Sequence, residues 1–302
     1  MQENQDLECK NHGGPAKQRA WRDLKEACIM KKIQDYRRVG EELYNKLRLN
    51  TFPVAIKYIK DTAEIPEGFT RPSANSQKWS LCQAFTYARR HGMDVAMTAE
   101  DNFCIPSSYA FQWIELSVEE LIESQRLNMW RKDMDAEIRV QSLYSDLMTQ
   151  ENIEKRKDHI GFIVSPLTKT QFIPDSILFY GNPGQLMHVI HALSYEGKHL
   201  IQSPFNGYGE SCIKGALMPF LTGRPEIVLP GGGDRAFSLT TEDEMAIGIP
   251  GHVLFDVDEN LFKTGQVFNL GQPIKTVLPI HLDENILPGW VYLKKRLEGR
   301  DN

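Results

Sequence analysis

One order of features occurs twice in this sequence: a cysteine, a helical run, a glycine stop, a strand and a polar loop. From Cys82 the run Gln-Ala-Phe-Thr-Tyr-Ala-Arg-Arg-His stops at Gly92, Asp94 to Ala99 is a strand-like run, and Glu100-Asp101-Asn102-Phe103 leads into Cys104. From Cys212 the run Ile-Lys-Gly-Ala-Leu-Met-Pro-Phe-Leu stops at Gly223, Glu226 to Pro230 reads as a strand, and Gly231-Gly232-Gly233-Asp234-Arg235 follows as a polar loop. Aligning the two glycines with one inserted residue sets Cys82 on Cys212 and Cys104 on Asp234 or Arg235. The expectation is that two such units face each other and form one site.

The rest of the chain alternates in the same way. Val54 to Ile59, Ile160 to Leu167, Ser176 to Tyr180 and Met245 to Pro250 are short apolar runs bounded by Gly, Pro or polar residues, and helical patterns separate them. This predicts an α/β or α+β fold with a largely buried sheet, built as two similar half-units that pack strands against helices around a shared site. The halves span about 50–150 and 160–290, inside a single globular domain over 50–302. A helical extension over 19–49 precedes it, with Leu24, Ala27, Ile29, Ile33, Tyr36, Val39, Leu43 and Leu47 at helical spacing. Residues 1–18 read as a disordered leader. Two charged amphipathic helices are expected over 118–130 and 134–148, an edge strand over 273–280 and a basic helical tail from Gly289. Ser238 to Glu244 carries a helix-start pattern, a hydroxyl followed by acids.

The 302 residues are 41% hydrophobic and 25% charged, enough to bury a core without covalent staples. The net charge of -5, with basic and acidic residues interspersed, excludes the basic stripe that nucleic acid requires. No apolar run is long enough to span a membrane, and the N-terminus lacks the pattern of a secretory signal, so the expected location is the cytoplasm. The five cysteines are then reduced thiols rather than a disulfide framework.

Cys82, Cys104 and Cys212 are the candidate ligands of a metal or cofactor, with Asp234 near the fourth position. Ser80 is placed to cap the helix that Cys82 enters, where backbone donors and the helix dipole favour thiolate. Thiolate is the ligand that iron-sulfur clusters and zinc select, and a carboxylate in place of a fourth thiol leaves one metal position open. Compact Cys-x-x-Cys pairs are absent, so the ligands must converge through the fold. Two other readings stand beside this one: small buried hydrophobes, and reactive thiols without metal. Cys9 falls in the leader, and Cys28 reads as a core thiol.

Around the cysteines, Arg89 is a candidate for holding a substrate carboxylate or phosphate, or else a helix-surface charge. Arg235, Glu100 and Asp101 are candidate catalytic groups, Arg235 as an anion holder and the two acids as proton carriers or simple caps. Gly232 and Gly233 permit close backbone approach. Asn182 lies in a strand, turn and helix start of the kind that forms small-molecule pockets, or a routine connection. His188 and His191 share a helix face at a spacing that metal-ligand pairs use, though no acidic residue lies between them as in the zinc-protease motif, and one core and one solvent-facing histidine is the default.

The segments Leu-Arg-Leu-Asn-Thr-Phe-Pro-Val-Ala-Ile-Lys, Cys82-Gln83-Ala84 with Ala88-Arg89, Glu100 to Cys104, Leu178 to Pro183 and Gly232 to Arg235 resemble the domain-of-unknown-function family numbered 169, also labelled uncharacterised ArCR. The resemblance covers roughly 45–285 and leaves the first 40 or so residues as an extension. It implies a source among archaea and anaerobic bacteria, which suits an oxygen-sensitive cofactor, and supplies no reaction. The expectation is a metal- or iron-sulfur-dependent enzyme of anaerobic metabolism, with zinc as the alternative, that reduces, eliminates from or transfers sulfur to a small anionic molecule. A non-catalytic sensor or carrier and a metal-free thiol enzyme are the rivals. No nucleic-acid or membrane partner is expected, and homo-oligomerisation is left open.

Overall fold

The computed structural model describes residues 15–117, 149–198, 209–261 and 288–298, with positions 119, 120, 123, 133, 135, 136, 201, 203, 205 and 263 between them. The two helices expected over 118–148 and the edge strand over 273–280 lie essentially outside the described residues, as does most of the leader. Residues 15–18 already belong to helix α1, Pro15–Lys46. Its buried apolar side chains are Ile33, Tyr36, Val39 and Leu43, at spacings of three, three and four, with Leu47 four residues on and just beyond its end. Each buried aliphatic contributes roughly 1.5–3 kcal/mol. The preceding turns carry Cys28, Ile29 and Met30 in solvent, so Cys28 is an exposed thiol rather than a core one.

Strands β1 Val54–Ile59, β2 Val95–Thr98, β3 Gly161–Pro166, β4 Ser176–Gly181, β5 Glu226–Val228 and β6 Met245–Pro250 form one six-stranded sheet in the order β2-β3-β1-β4-β6-β5. Every pairing is antiparallel. The chain is therefore a mixed helix-and-sheet protein whose strands nonetheless read as nearly continuous apolar runs, because helices cover both faces.

On one face Val54, Ile56, Tyr58, Phe162, Val164, Leu178 and Tyr180 pack against helices α2, Leu81–His91, and α3, Ile105–Ala110, and against the segment from Glu210 to Thr222. On the other face Ala55, Ile163, Ile177, Phe179, Ile247 and Ile249 pack against α1 and against the helices Pro183–Ser194 and Leu254–Asn260. The alternation along each strand assigns each side chain to its face.

The registers of the two halves of the sheet match. Val54, first in β1, pairs with Pro166, last in β3, and Ser176, first in β4, pairs with Pro250, last in β6. Val95, first in β2, pairs with Val164, fourth in β3, and Glu226, first in β5, pairs with Gly248, fourth in β6. At the centre β1 and β4 meet with Val54 opposite Leu178 and Ile56 opposite Ser176. A single 3-10 turn follows both β3 and β6.

Helix α2 ends at Gly92 (φ 67°) and the helix Met218–Thr222 ends at Gly223 (φ 69°), the left-handed conformation that glycine adopts without strain. The stretch before Met218 departs from α geometry. Glu210–Leu217 is a π-helix, in which Lys214 N–H donates to the Gly209 carbonyl five residues back at 3.2 Å. A π turn accommodates one more residue than an α turn, and the interval from Cys212 to Gly223 holds one residue more than that from Cys82 to Gly92. The π-helix lies directly on β6. A side-chain carbon at Gly248 would sit 1.8 Å from the Gly215 carbonyl oxygen, so only glycine admits this approach.

Two local readings of the sequence are corrected. Gly231 to Arg235 is not an open loop, because Gly232–Phe237 forms a short helix. Ser238 to Glu244 starts no helix: the Glu244 carboxylate accepts from Thr241 N–H at 2.9 Å and is otherwise committed to Arg89 and Arg90, and the chain runs into β6.

Candidate functional site

The Ser80 hydroxyl caps α2 by accepting from Gln83 N–H, and its oxygen lies 3.5 Å from the Cys82 sulfur. This places Cys82 in the first turn of α2, pointing into the interior. Gly233 is a neighbour of this sulfur: a side-chain carbon there would make an ordinary contact with it at 3.9 Å. The π-helix carries Cys212 to the same interior. Cys82 and Cys212 are both buried, whereas Cys104 is half-buried. Cys104 caps α3 from a loop organised by Asn102, whose Oδ1 accepts from Cys104 N–H and whose Nδ2 donates to the Cys104 carbonyl and to the Ser107 and Ser108 hydroxyls.

The three thiols and Asp234 are within charge range of one another. Burial pushes the Cys82 thiol well up, and the charges of Asp234 and Cys104 push it further. Burial also pushes the Cys212 thiol up, reinforced by Cys82, Cys104 and Asp234. Asp234 is itself raised to about 6 by burial, against the opposing pull of Ser211, the Gly231 amide and the Arg89 guanidinium. Its Oδ1 is buried with no hydrogen-bond partner among the described residues. Among the described residues, no three His, Cys, Asp or Glu side chains converge as the ligands of one ion would.

Two tyrosines close the site from the sheet. Tyr180, in β4, lies near Cys82, Asp234 and Ser211, and Tyr58, in β1, lies near Cys212. Each is the fifth residue of its strand. Neither was singled out from sequence, although the strands Val-Ala-Ile-Lys-Tyr-Ile and Ser-Ile-Leu-Phe-Tyr-Gly carry the shared position.

The other expected site residues have different surroundings. Arg89 is fully buried, so it is not a helix-surface charge. Its guanidinium binds Glu244 at 2.7 Å, Thr240 and the Ser238 carbonyl, and lies 4.1 Å over the Tyr180 ring. It therefore reaches the site through Tyr180 and Asp234 rather than as a free anion holder. Asp101 is buried and bonded to Arg71, Ser73 and Thr98. Burial acts against its charge, but those bonds outweigh it and hold the carboxyl below its ordinary value. Glu100 is exposed and binds Arg71 and Ser73. Arg235 donates to the Thr241 carbonyl at 3.0 Å on the surface. Asn182 caps the helix Pro183–Ser194 by accepting from Gln185 N–H, on the face of the sheet away from the thiols. Gly232 begins the short helix that carries Asp234.

By type, three thiols and a carboxylate with an orphaned oxygen are donors that a thiolate-ligated metal centre takes.

The family model described as Uncharacterised ArCR matches residues 42–260. An uncharacterized protein of Methanocaldococcus jannaschii is 24% identical over 243 residues, covering 79% of this chain and 99% of that relative. No solved structure matches. The matched span runs from the end of α1 through the helix Leu254–Asn260 and includes every thiol of the site, and the chain belongs to the Uncharacterised ArCR family, domain of unknown function 169.

Proposed function

We propose that this protein is a cytoplasmic enzyme of anaerobic metabolism that depends on an iron-sulfur cluster or a related soft-metal centre held by Cys82, Cys104 and Cys212, with Asp234 at the fourth position. The observation that carries the reading is the gathering of three thiols and a buried carboxylate within charge range in one interior place. Thiols whose pKa is raised by burial and by acidic neighbours are poor nucleophiles at neutral pH, which weighs against a metal-free thiol enzyme. A bound cation reverses that balance, because coordination deprotonates the thiol and neutralises the charge that burial penalises. When bound, such a centre supplies Lewis acidity or electrons to a small molecule. The chain's own part is to hold the thiols dry, to leave the Cys104 side more open and to set Tyr58 and Tyr180 against Cys212 and Cys82.

The same proposal includes two similar half-units facing each other. The matched registers of β2-β3-β1 and β5-β6-β4, the equivalent glycine stops and the π turn that absorbs the extra residue support it. On this reading the first half contributes Cys82 and Cys104 and the second contributes Cys212, and the tyrosines beside Cys82 and Cys212 each come from the opposite half. Anaerobic purification tests the proposal: a coloured protein with iron and acid-labile sulfide supports a cluster, and a colourless one free of metal contradicts it.

A further inference from the structure

Helix α1 runs past the body it packs on. Every side chain from Glu26 to Lys32 is exposed, and among the described side chains of the helix the first buried one is Ile33. The apolar stripe does not stop at that edge. Met30 and Ile29 lie three and four residues before Ile33, so both continue the line of Ile33, Tyr36, Val39 and Leu43 along the helix. They are 50% and 40% exposed, with the Cys28 thiol exposed beside them. A helix in water draws most of its stability from the packing of an apolar face, and the body covers neither of the two turns from Glu26 to Lys32. The projecting part, Pro15 to Lys32, is about 27 Å long at the 1.5 Å rise of an α-helix. It precedes the span shared with the family, which starts at residue 42.

The projection and the rest of the chain are opposite in charge. From Pro15 to Lys32, Lys17, Arg19, Arg22, Lys25, Lys31 and Lys32 outnumber Asp23 and Glu26, a net +4 in a chain of net -5, so the remaining residues carry -9. Opposite fields steer two surfaces together and fix their register. A body of net -9 repels nucleic acid and anionic lipid while it attracts a basic helix, and another copy brings that body at the same concentration as the projection. We infer that the projecting half of α1, with Ile29 and Met30 as its apolar contacts, docks on the acidic body of a second copy of this chain. The docking is reciprocal, because exchange about a two-fold axis covers both projections and closes the assembly at two copies. The inference goes beyond the thiol site and is independent of it, since none of the residues it uses belongs to that site.

Sedimentation equilibrium of the full chain tests it, at low and at high salt, on anaerobically purified wild type and two double variants. One is Ile29→Lys with Met30→Lys, which removes the apolar contacts, and the other is Lys31→Glu with Lys32→Glu, which reverses charge. All four side chains are exposed, so neither variant disturbs the core. Wild type is expected to have the mass of two chains at micromolar concentration. The apolar variant is expected to raise the dissociation constant about 100-fold or more, as the loss of two buried apolar side chains implies. Charge reversal is expected to raise it about tenfold at low salt, and the difference should shrink at high salt. A wild-type monomer overturns the inference, including one that binds vesicles of anionic lipid or RNA instead. So does a dimer that neither variant weakens, or one that charge reversal weakens equally at both salt concentrations.

Discussion

Arg89 and Glu244 form an ion pair at 2.7 Å between side chains that are 0% and 8% exposed, and it ties α2 to the segment that enters β6. Arg90 joins the same carboxylate at 3.1 Å. Replacing Glu244 leaves the Arg89 charge buried without a carboxylate partner, and replacing Arg89 leaves Glu244 with the partly exposed Arg90 alone. Glu244→Gln and Arg89→Met are each expected to lower unfolding stability by about 3–5 kcal/mol, measured by urea denaturation. A loss below about 1 kcal/mol in both would show that the pair does not secure α2 to the segment that enters β6.

The approach of the π-helix to the sheet yields a second prediction. Gly248→Ala drives a methyl group into the Gly215 carbonyl, and overpacking of this kind typically costs about 1–3 kcal/mol. Because the displaced element carries Cys212, metal content should fall together with melting temperature. Gly289→Ala, where an added side-chain carbon meets nothing within 4 Å, is the control and should change neither.

The sequence made the outline of the fold legible because strand and helix periods alternate cleanly along it. The Ser80 cap and the two glycine stops were readable for the same local reason. Arg89 was not, since its partner Glu244 stands 155 residues away and an isolated arginine in a helix looks like a surface charge. Composition does not encode the π-helix, whose trace in the sequence is one surplus residue between Cys212 and Gly223. The helix-start pattern at Ser238 misled because Glu244, which would cap such a helix, is claimed by two arginines. Tyr58 and Tyr180 were legible only by laying β1 on β4.

A third prediction concerns pH. Burial raises Asp175 to about 6, although its Oδ2 accepts from Tyr58 N–H at 2.8 Å. The native state therefore keeps a proton that the unfolded chain releases near pH 4. The contribution of this group to stability is full below that pH and is lost as pH rises toward 6. Asp175→Asn keeps an acceptor for Tyr58 and removes the penalty. It should be more stable than wild type at pH 7 by about 1–2 kcal/mol and equal to it near pH 4. Parallel denaturation curves at the two pH values check this, and a difference that does not change with pH contradicts it.

A fourth prediction separates ligands from bystanders. Cys28 is exposed on α1 and far from the thiol site in sequence and surroundings, so Cys28→Ala should leave metal content and absorption unchanged. Asn102→Ala removes the side chain that fixes the Cys104 backbone at 3.1 Å and should reduce metal retention without abolishing it.

The central claim is that Cys82, Cys104 and Cys212 act together as ligands. Its most direct measurement is iron, zinc and acid-labile sulfide per chain in anaerobically purified wild type and in each single Cys-to-Ala variant. The account predicts stoichiometric metal with sulfide in the wild type, and loss of both in each of the three variants. Wild-type protein that carries neither metal nor sulfide, or variants that retain the full complement, would contradict it.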